Sequence, residues 1–113
     1  MVIAIVLFAA GALFGLHILT HVLQNKATPK VSVVVHGLLV AIGLVMVIAA
    51  EVIGGSGRLM TSMIFFIIAA LGGFVMVYFD IMKKQVPPKA LAILHPILAA
   101  IGLVLLIIYV IGK

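Results

Sequence analysis

The sequence predicts an all-α membrane protein, namely an up-down four-helix transmembrane bundle made of two repeated helical hairpins. The first reason is composition: of 113 residues, 67% are hydrophobic and only 8% are charged, whereas about a quarter of a soluble domain is charged. The second reason is that uncharged apolar stretches occur four times along the chain, and the third is that two of these stretches match each other. A soluble globular enzyme is therefore excluded.

Uncharged stretches define the elements, and they cover residues 1–25, 31–50, 59–79 and 90–112. Each meets the requirement of about 20 apolar residues for a helix that crosses a hydrocarbon core roughly 30 Å thick. Strands are disfavoured because these runs are apolar at both odd and even positions, whereas the strand of a membrane barrel alternates. We predict helices over residues 2–23, 31–53, 59–82 and 89–111.

Short connections separate the predicted helices, at residues 24–30, 54–58 and 83–88. Because these connections are short, consecutive helices must lie antiparallel as neighbours. Proline has no backbone N–H to donate, so Pro29 and Pro88 suit the entry of a helix and not its interior. Glu51 and Arg58 flank the central connection, and we expect both to be solvated charges at helix ends.

The basic residues predict an orientation in the membrane. Five of the seven lie at the first and third connections: Lys26, Lys30, Lys83, Lys84 and Lys89. The positive-inside rule then places these two connections in the cytoplasm and both termini outside. The first segment lacks a basic region before its apolar core, so we expect a retained helix and not a removed signal peptide. The expected location is a bacterial inner membrane, and the net charge of +5 is assigned to orientation and not to nucleic-acid binding.

An internal repeat relates the second and fourth helices. Residues 29–48 and 88–107 are identical at ten of twenty positions. The matches that apolar composition does not inflate are Pro29/Pro88, Lys30/Lys89, His36/His95 and Gly43/Gly102. We therefore predict one transmembrane domain, 1–113, built of repeats 1–54 and 55–113. With two spans per copy, the repeat is parallel and its axis runs along the membrane normal.

The first and third helices do not show the repeat in the same way. At the same offset of 59 residues, His17 of the first helix aligns with Met76, and His21 aligns with Asp80. We therefore expect these two helices to have diverged.

All four histidines and one carboxylate are predicted to lie in the leaflet that holds the lysine-bearing connections. At about 1.5 Å of rise per residue, His36 and His95 lie roughly 9 Å along their helices from Lys30 and Lys89. Ionisable side chains within a membrane are costly and usually face the bundle interior, where they indicate function. The candidate functional residues at this level are His17, His21, His36, His95 and Asp80.

Two histidine–glycine spacings indicate haem ligation. His36 and Gly43 are seven residues apart, as are His95 and Gly102, so each pair lies two turns apart on one helix face. An axial haem ligand needs an imidazole that reaches the iron and a small residue that leaves room for the porphyrin edge. The second and fourth helices are diagonal in an up-down bundle, so we expect the two histidines to bind one b-type haem across its core. The candidate partners of the haem propionates are Lys30 and Lys89.

Short motifs at these two histidines carry a resemblance to a known family. The sequence HGLL at 36–39, preceded by Lys30, and HPIL at 95–98, followed by IGL at 101–103, resemble stretches of the cytochrome b561 family. Members of that family are six-span electron carriers that hold two b haems between histidine pairs, with the two motifs in the opposite order. The resemblance implies that His36 and His95 are haem ligands.

Other interpretations of the same residues remain open. His17 and His21 are four residues apart on one helix face, and they are candidate ligands of a second haem. Together with His36, His95 and Asp80 they also form a candidate site for zinc, nickel or copper, since imidazole suits all three metals. In a third interpretation the protein is a structural subunit of a larger membrane complex, and its histidines form hydrogen bonds between helices.

The remaining function classes are limited by what the sequence lacks. With no cysteine, there is no disulfide, thiolate metal site, iron–sulfur cluster or c-type haem attachment. A small multidrug exporter is disfavoured because the first helix contains no acidic residue. There is also no nucleotide loop, nucleophile triad or catalytic carboxylate pair. We predict an electron-transfer protein and not a stand-alone enzyme, with a quinone, a redox protein or a second copy of the chain as its partner.

Overall fold

Four long helices form the structure, a computed structural model that describes residues 1–112. Their bounds are α1 Val2–Leu23, α2 Lys30–Gly54, α3 Met60–Val77 and α4 Lys89–Ile111, and a π-helical turn at Tyr78–Met82 extends α3. No strand occurs among the described residues. The predicted fold class is confirmed, and each helix begins and ends within one residue of its predicted bounds when the π-helical turn is counted with α3. Lys113, the last residue of the predicted domain, lies outside the described part.

Proline and left-handed backbone conformations set the ends of the helices. Pro29 and Pro88 directly precede α2 and α4, and their ψ angles are extended, at 109° and 130°. A position before the helix is expected of residues that cannot donate a backbone hydrogen bond. Gly55 ends α2 in the left-handed region, with φ of 63°, and its N–H donates to the carbonyl of Glu51. Glycine adopts this conformation without the penalty that a Cβ imposes.

Each of the four helices is long and apolar enough to span a membrane. The molecule measures 43 × 19 × 19 Å, so it is a rod about as long as a bilayer is thick when the headgroup regions are included, roughly 40–45 Å. Large apolar side chains cover its outer surface, and the buried core is narrow, with Ala4, Val47 and Leu106 fully enclosed. This distribution is that of an integral membrane protein surrounded by lipid.

The helices form two hairpins that pack side by side. The tightest packing is α1 against α2 and α3 against α4, while α1 also contacts α4 and α2 contacts α3. Side chains bridge both diagonals of the bundle. Phe8 and Phe66 stack between α1 and α3 with ring centroids 4.1 Å apart and an interplanar angle of 5°. His36 and His95 meet between α2 and α4.

The first and third helices make equivalent contacts, although their sequences differ at the positions of His17 and His21. Phe8 and Gly15 correspond to Phe66 and Gly73 in their contacts, an offset of 58 residues and not the 59 that relates α2 to α4. The extra residue lies in the π-helical turn. A π turn holds one more residue than an α turn, and α3 together with this turn spans 23 residues against 22 in α1.

At the end of the bundle opposite the histidines, one of the two expected end charges is not solvated. Glu51 is only 5% exposed, because it lies one helical turn beyond the fully buried Val47 and the chain returns over it. The backbone N–H of Leu59 donates to Glu51 Oε2, with 3.4 Å between nitrogen and oxygen. The prediction of a solvated Glu51 is therefore wrong. Arg58 is exposed as expected, and its guanidinium lies 4.8 Å from the centre of the Tyr109 ring.

Candidate functional site

Two histidines from the diagonally opposite helices α2 and α4 lie close together inside the bundle. We call His36 and His95 the core histidine pair. Their ring centroids are 6.1 Å apart and the ring planes are 71° from parallel. Both residues are half-buried. The two imidazoles that the repeat predicted to oppose each other thus do so across the interior.

Each imidazole of the core histidine pair is fixed by the other helix of its own hairpin. His36 Nδ1 lies 2.7 Å from the carbonyl oxygen of Gly11, and His95 Nδ1 lies 2.7 Å from that of Ala69. A carbonyl only accepts, so Nδ1 carries the proton in both rings. In a neutral imidazole the other nitrogen, Nε2, then has a free lone pair. This is the arrangement that orients a histidine for ligation through Nε2.

Two glycines hold the imidazoles close to the neighbouring helices. A Cβ built on Gly15 would lie 3.1 Å from His36 Cε1, and one built on Gly73 would lie 3.2 Å from His95 Cε1. Such distances are shorter than ordinary van der Waals contacts, so a side chain at either position would push the ring away.

The glycines predicted to make room for a porphyrin edge, Gly43 and Gly102, instead face the phenylalanine stack. The ideal Cβ positions of these glycines are 3.1 Å from the rings of Phe8 and Phe66, respectively. The space beside them is therefore filled by aromatic side chains. Seven residues separate each of these glycines from its histidine, so the stack lies about 10 Å along the helices from the core histidine pair. A planar group held between the two histidines can extend toward the stack only as far as these rings.

Asp80 takes part in a polar cluster and not in the histidine pair. The polar cluster consists of Thr28, Lys30 and Asp80, of which Thr28 and Asp80 are buried. Lys30 Nζ donates to Asp80 Oδ1 at 2.8 Å and to Thr28 Oγ1 at 2.7 Å. The Thr28 hydroxyl donates to the carboxylate at 2.7 Å. Asp80 thus pairs with Lys30 from the other hairpin.

The lysines proposed as propionate partners differ in their surroundings. The Lys30 ammonium is already engaged by Asp80, so it is not a free cation in this structure. Lys89 is exposed at the start of α4. A cavity of about 480 Å³ lies beside the polar cluster, between α2 and the end of α3, and is lined by residues that include Val33, Lys84 and Val86.

His17 and His21 lie on the outer face of α1, apart from the core histidine pair. We call them the outer histidine pair; their ring centroids are 4.8 Å apart. His17 is exposed and His21 is half-buried. Among residues 1–112, no group of three or more His, Cys, Asp or Glu side chains is placed to hold a metal ion. The five-residue metal site considered from the sequence is therefore not assembled within one chain.

No protein-family model, no curated protein and no solved structure matches this chain. The short resemblance to the cytochrome b561 family at the core histidine pair thus rests on the motifs alone.

Sequence reasoning missed three contributors to the site. The carbonyl groups of Gly11 and Ala69 orient the imidazoles, and a backbone carbonyl has no signature in a sequence. The Phe8–Phe66 stack does have one, since a search of α1 against α3 at an offset of 58 aligns the two rings. Thr28 lies in a connection, where only the folded chain shows that its hydroxyl meets Asp80.

Proposed function

We propose that the protein is a small membrane b-type cytochrome that binds one haem between His36 and His95 and transfers electrons. The observation that carries this proposal is the pair of opposed imidazoles, each anchored through Nδ1 to a backbone carbonyl and each with Nε2 available. The resemblance of the short motifs at 36–39 and 95–98 to stretches of the cytochrome b561 family supports the same two ligands.

The spacing of the rings fits two ligands on opposite sides of one metal ion. A metal–imidazole bond is about 2.0–2.1 Å long, and a ring nitrogen lies about 1 Å from its ring centroid. Two imidazoles on opposite sides of an ion therefore have centroids about 6 Å apart, and the core histidine pair has 6.1 Å. This agreement in spacing supports His36 and His95 as the two ligands.

Haem is favoured over a bare metal ion because only two protein ligands converge. A tetrahedral zinc site takes up to four protein ligands, and the described residues bring no third His, Cys, Asp or Glu to the pair. Haem would supply four nitrogens of its own, so His36 and His95 would be sufficient to hold it. When bound, the haem supplies one-electron chemistry, and the protein supplies ligands and a surrounding of low polarity.

The position of the pair indicates where electrons enter or leave. Both histidines are about two turns from the lysine-bearing ends of α2 and α4, and the positive-inside rule assigns that side to the cytoplasm. A single haem near one side does not connect both faces of a bilayer. We propose a quinone or a redox protein at this face as the electron partner, and a bacterial inner membrane as the location.

Absorption spectra test the haem proposal. The protein is purified from haem-replete cells, and spectra are recorded in the oxidised and dithionite-reduced states. We expect sharp Soret and α bands and about one haem per chain. Either His36→Ala or His95→Ala is expected to abolish these bands, whereas Val45→Ala, on the outer face of α2, keeps them. A colourless wild-type protein, or bands that persist in the double histidine variant, would contradict the proposal.

A structural role is the second candidate, and the same hydrogen bonds favour it. The imidazole of His36 ties α2 to α1, and that of His95 ties α4 to α3. Such bonds contribute about 0.6 kcal/mol on average between membrane helices. A structural subunit would be colourless, and replacement of both histidines by alanine would change its helix packing without the loss of any cofactor.

A further inference from the structure

The outer face of α1 carries a polar stripe in which every side chain except the half-buried His21 is exposed. His17, Thr20 and His21 lie on this face together with Gln24, at spacings of three, four and seven residues. His17 is exposed, and its position about two turns before the helix end places it within the apolar part of the span. Ionisable side chains in membrane helices almost always face protein or a water-filled cavity. The stripe therefore requires a partner that the single chain does not supply.

The ring spacing of the outer histidine pair fits two neighbouring ligands on one metal ion. With the metal–nitrogen distance of about 2.0–2.1 Å, two imidazoles at a tetrahedral ion have centroids about 5 Å apart. The rings of His17 and His21 have centroids 4.8 Å apart. The core histidine pair, at 6.1 Å, has instead the spacing of ligands on opposite sides of an ion.

One ring nitrogen of the pair is already held in place. His21 Nδ1 lies 2.9 Å from the carbonyl oxygen of His17, so it donates its proton there and leaves Nε2 free. Backbone hydrogen bonds of this kind orient metal-binding histidines. Both imidazoles extend from a rigid helix at residues four apart, and thus from one face.

The remaining ligands must come from outside the chain. No third His, Cys, Asp or Glu of residues 1–112 joins the pair, and a lipid-covered helix face offers little water to complete the coordination. A second copy that packs against α1 by a two-fold axis along the membrane normal supplies the same two imidazoles. Four imidazoles then satisfy a tetrahedral ion such as Zn²⁺, and they also cover the polar stripe.

We propose that His17 and His21 from two copies of this chain bind one divalent transition-metal ion of the zinc class and join the copies through α1. This proposal does not depend on haem binding, because it uses different residues on a different face of the bundle. A hydrated ion reaches the site from the lysine-bearing side, since His21 lies two residues before the end of α1.

Zinc titration of the metal-free protein tests the proposal. The chain is purified without a polyhistidine tag, stripped with chelator in lipid nanodiscs or detergent, and titrated with Zn²⁺ alone. We expect saturation at about one ion per two chains, together with a dimer mass by native mass spectrometry. His17→Ala and His21→Ala are each expected to weaken zinc binding by about tenfold or more and to reduce the dimer.

Two controls locate the ion. Thr20→Val removes the hydroxyl between the two histidines and keeps the shape of the side chain, so zinc binding and the dimer persist. The His36→Ala/His95→Ala variant also keeps its zinc, because the core pair is not part of this site. Any of three results would overturn the proposal. The wild type could bind one ion per monomeric chain, or bind no more zinc than the His17→Ala/His21→Ala variant. The His36→Ala/His95→Ala variant could also lose its zinc. Helical circular dichroism confirms that every variant is folded.

Discussion

At the scale of single residues, each imidazole of the core histidine pair can approach its neighbouring helix because that helix has a glycine at the point of contact. Gly15 and Gly73 lie directly beneath the rings of His36 and His95. The hydrogen bonds to Gly11 and Ala69 are 2.7 Å long, and they require this close approach. The glycines therefore contribute to the orientation of the ligand nitrogen, although they provide no ligand themselves.

A matched pair of glycine substitutions tests this role. Gly15→Ala is expected to lower the free energy of unfolding by about 1–3 kcal/mol, because its Cβ overpacks the site against His36. Gly37→Ala is the control, since no atom lies within 4 Å of its ideal Cβ position. Alanine has the higher helix propensity, so the control should equal or exceed the wild type in stability by up to about 1 kcal/mol.

Thermal unfolding in detergent, followed by circular dichroism, measures both variants. Equal stability of Gly15→Ala and Gly37→Ala would contradict the assignment of Gly15 as a close-contact position.

At this scale the sequence predicted a contact correctly where residue identity and spacing along the chain were enough to define it. His36 and His95 were predicted to oppose each other because the repeat aligns them, and the structure places them so. Lys30 and Glu51 show the limit. The sequence does not reveal that Lys30 pairs with Asp80, 50 residues away, or that the turn of the chain buries Glu51. Both results depend on contacts between distant segments.

At the scale of elements, one extra residue distinguishes the two hairpins. The π-helical turn at Tyr78–Met82 takes up this residue inside the helix, so the connections before α2 and α4 keep the same length. At the offset of 58 that relates α1 to α3, the buried Asp80 corresponds to the buried Val22. The second hairpin thus has a buried carboxylate where the first has a buried apolar side chain.

The Phe8–Phe66 stack is the contact that joins the hairpins across the diagonal from α1 to α3, and a double-mutant cycle measures it. Phe8→Leu and Phe66→Leu are expected to show a coupling free energy of about 0.5–1.5 kcal/mol, because the stacked rings interact beyond their burial. Phe8→Leu combined with Phe74→Leu is the control, since Phe74 is 72% exposed on the outer face of α3.

Unfolding free energies of the single and double variants in the same detergent complete the cycle. We expect additive changes in unfolding free energy for the control pair. Additive changes for Phe8→Leu and Phe66→Leu as well would show that the stack does not couple the hairpins.

At the scale of the whole molecule, the lysine distribution predicts the orientation, and cysteine labelling tests it. The chain has no cysteine of its own, so single introduced thiols report their positions without interference. Ala27→Cys and Gln85→Cys lie in the lysine-bearing connections, and Ser56→Cys lies in the central one. In intact cells we expect a membrane-impermeant maleimide to label only Ser56→Cys, since the positive-inside rule keeps the other two thiols in the cytoplasm.

Labelling after permeabilisation is the control for reactivity and should modify all three variants. Labelling of Ala27→Cys and Gln85→Cys in intact cells, with Ser56→Cys protected, would reverse the orientation and place the core histidine pair near the outer face.

The sequence by itself determined the membrane class, the number and bounds of the helices and the hairpin repeat. The physical reason is that these depend on local properties, namely the length of apolar runs, the placement of charge and the prolines at helix entries. Only the tertiary structure decided which side chains face each other: the free Nε2 atoms of the core pair, the phenylalanine rings beside Gly43 and Gly102, and the outward position of His17. Those features depend on the rotation of each helix about its axis, which packing between helices sets and a uniformly apolar sequence encodes weakly.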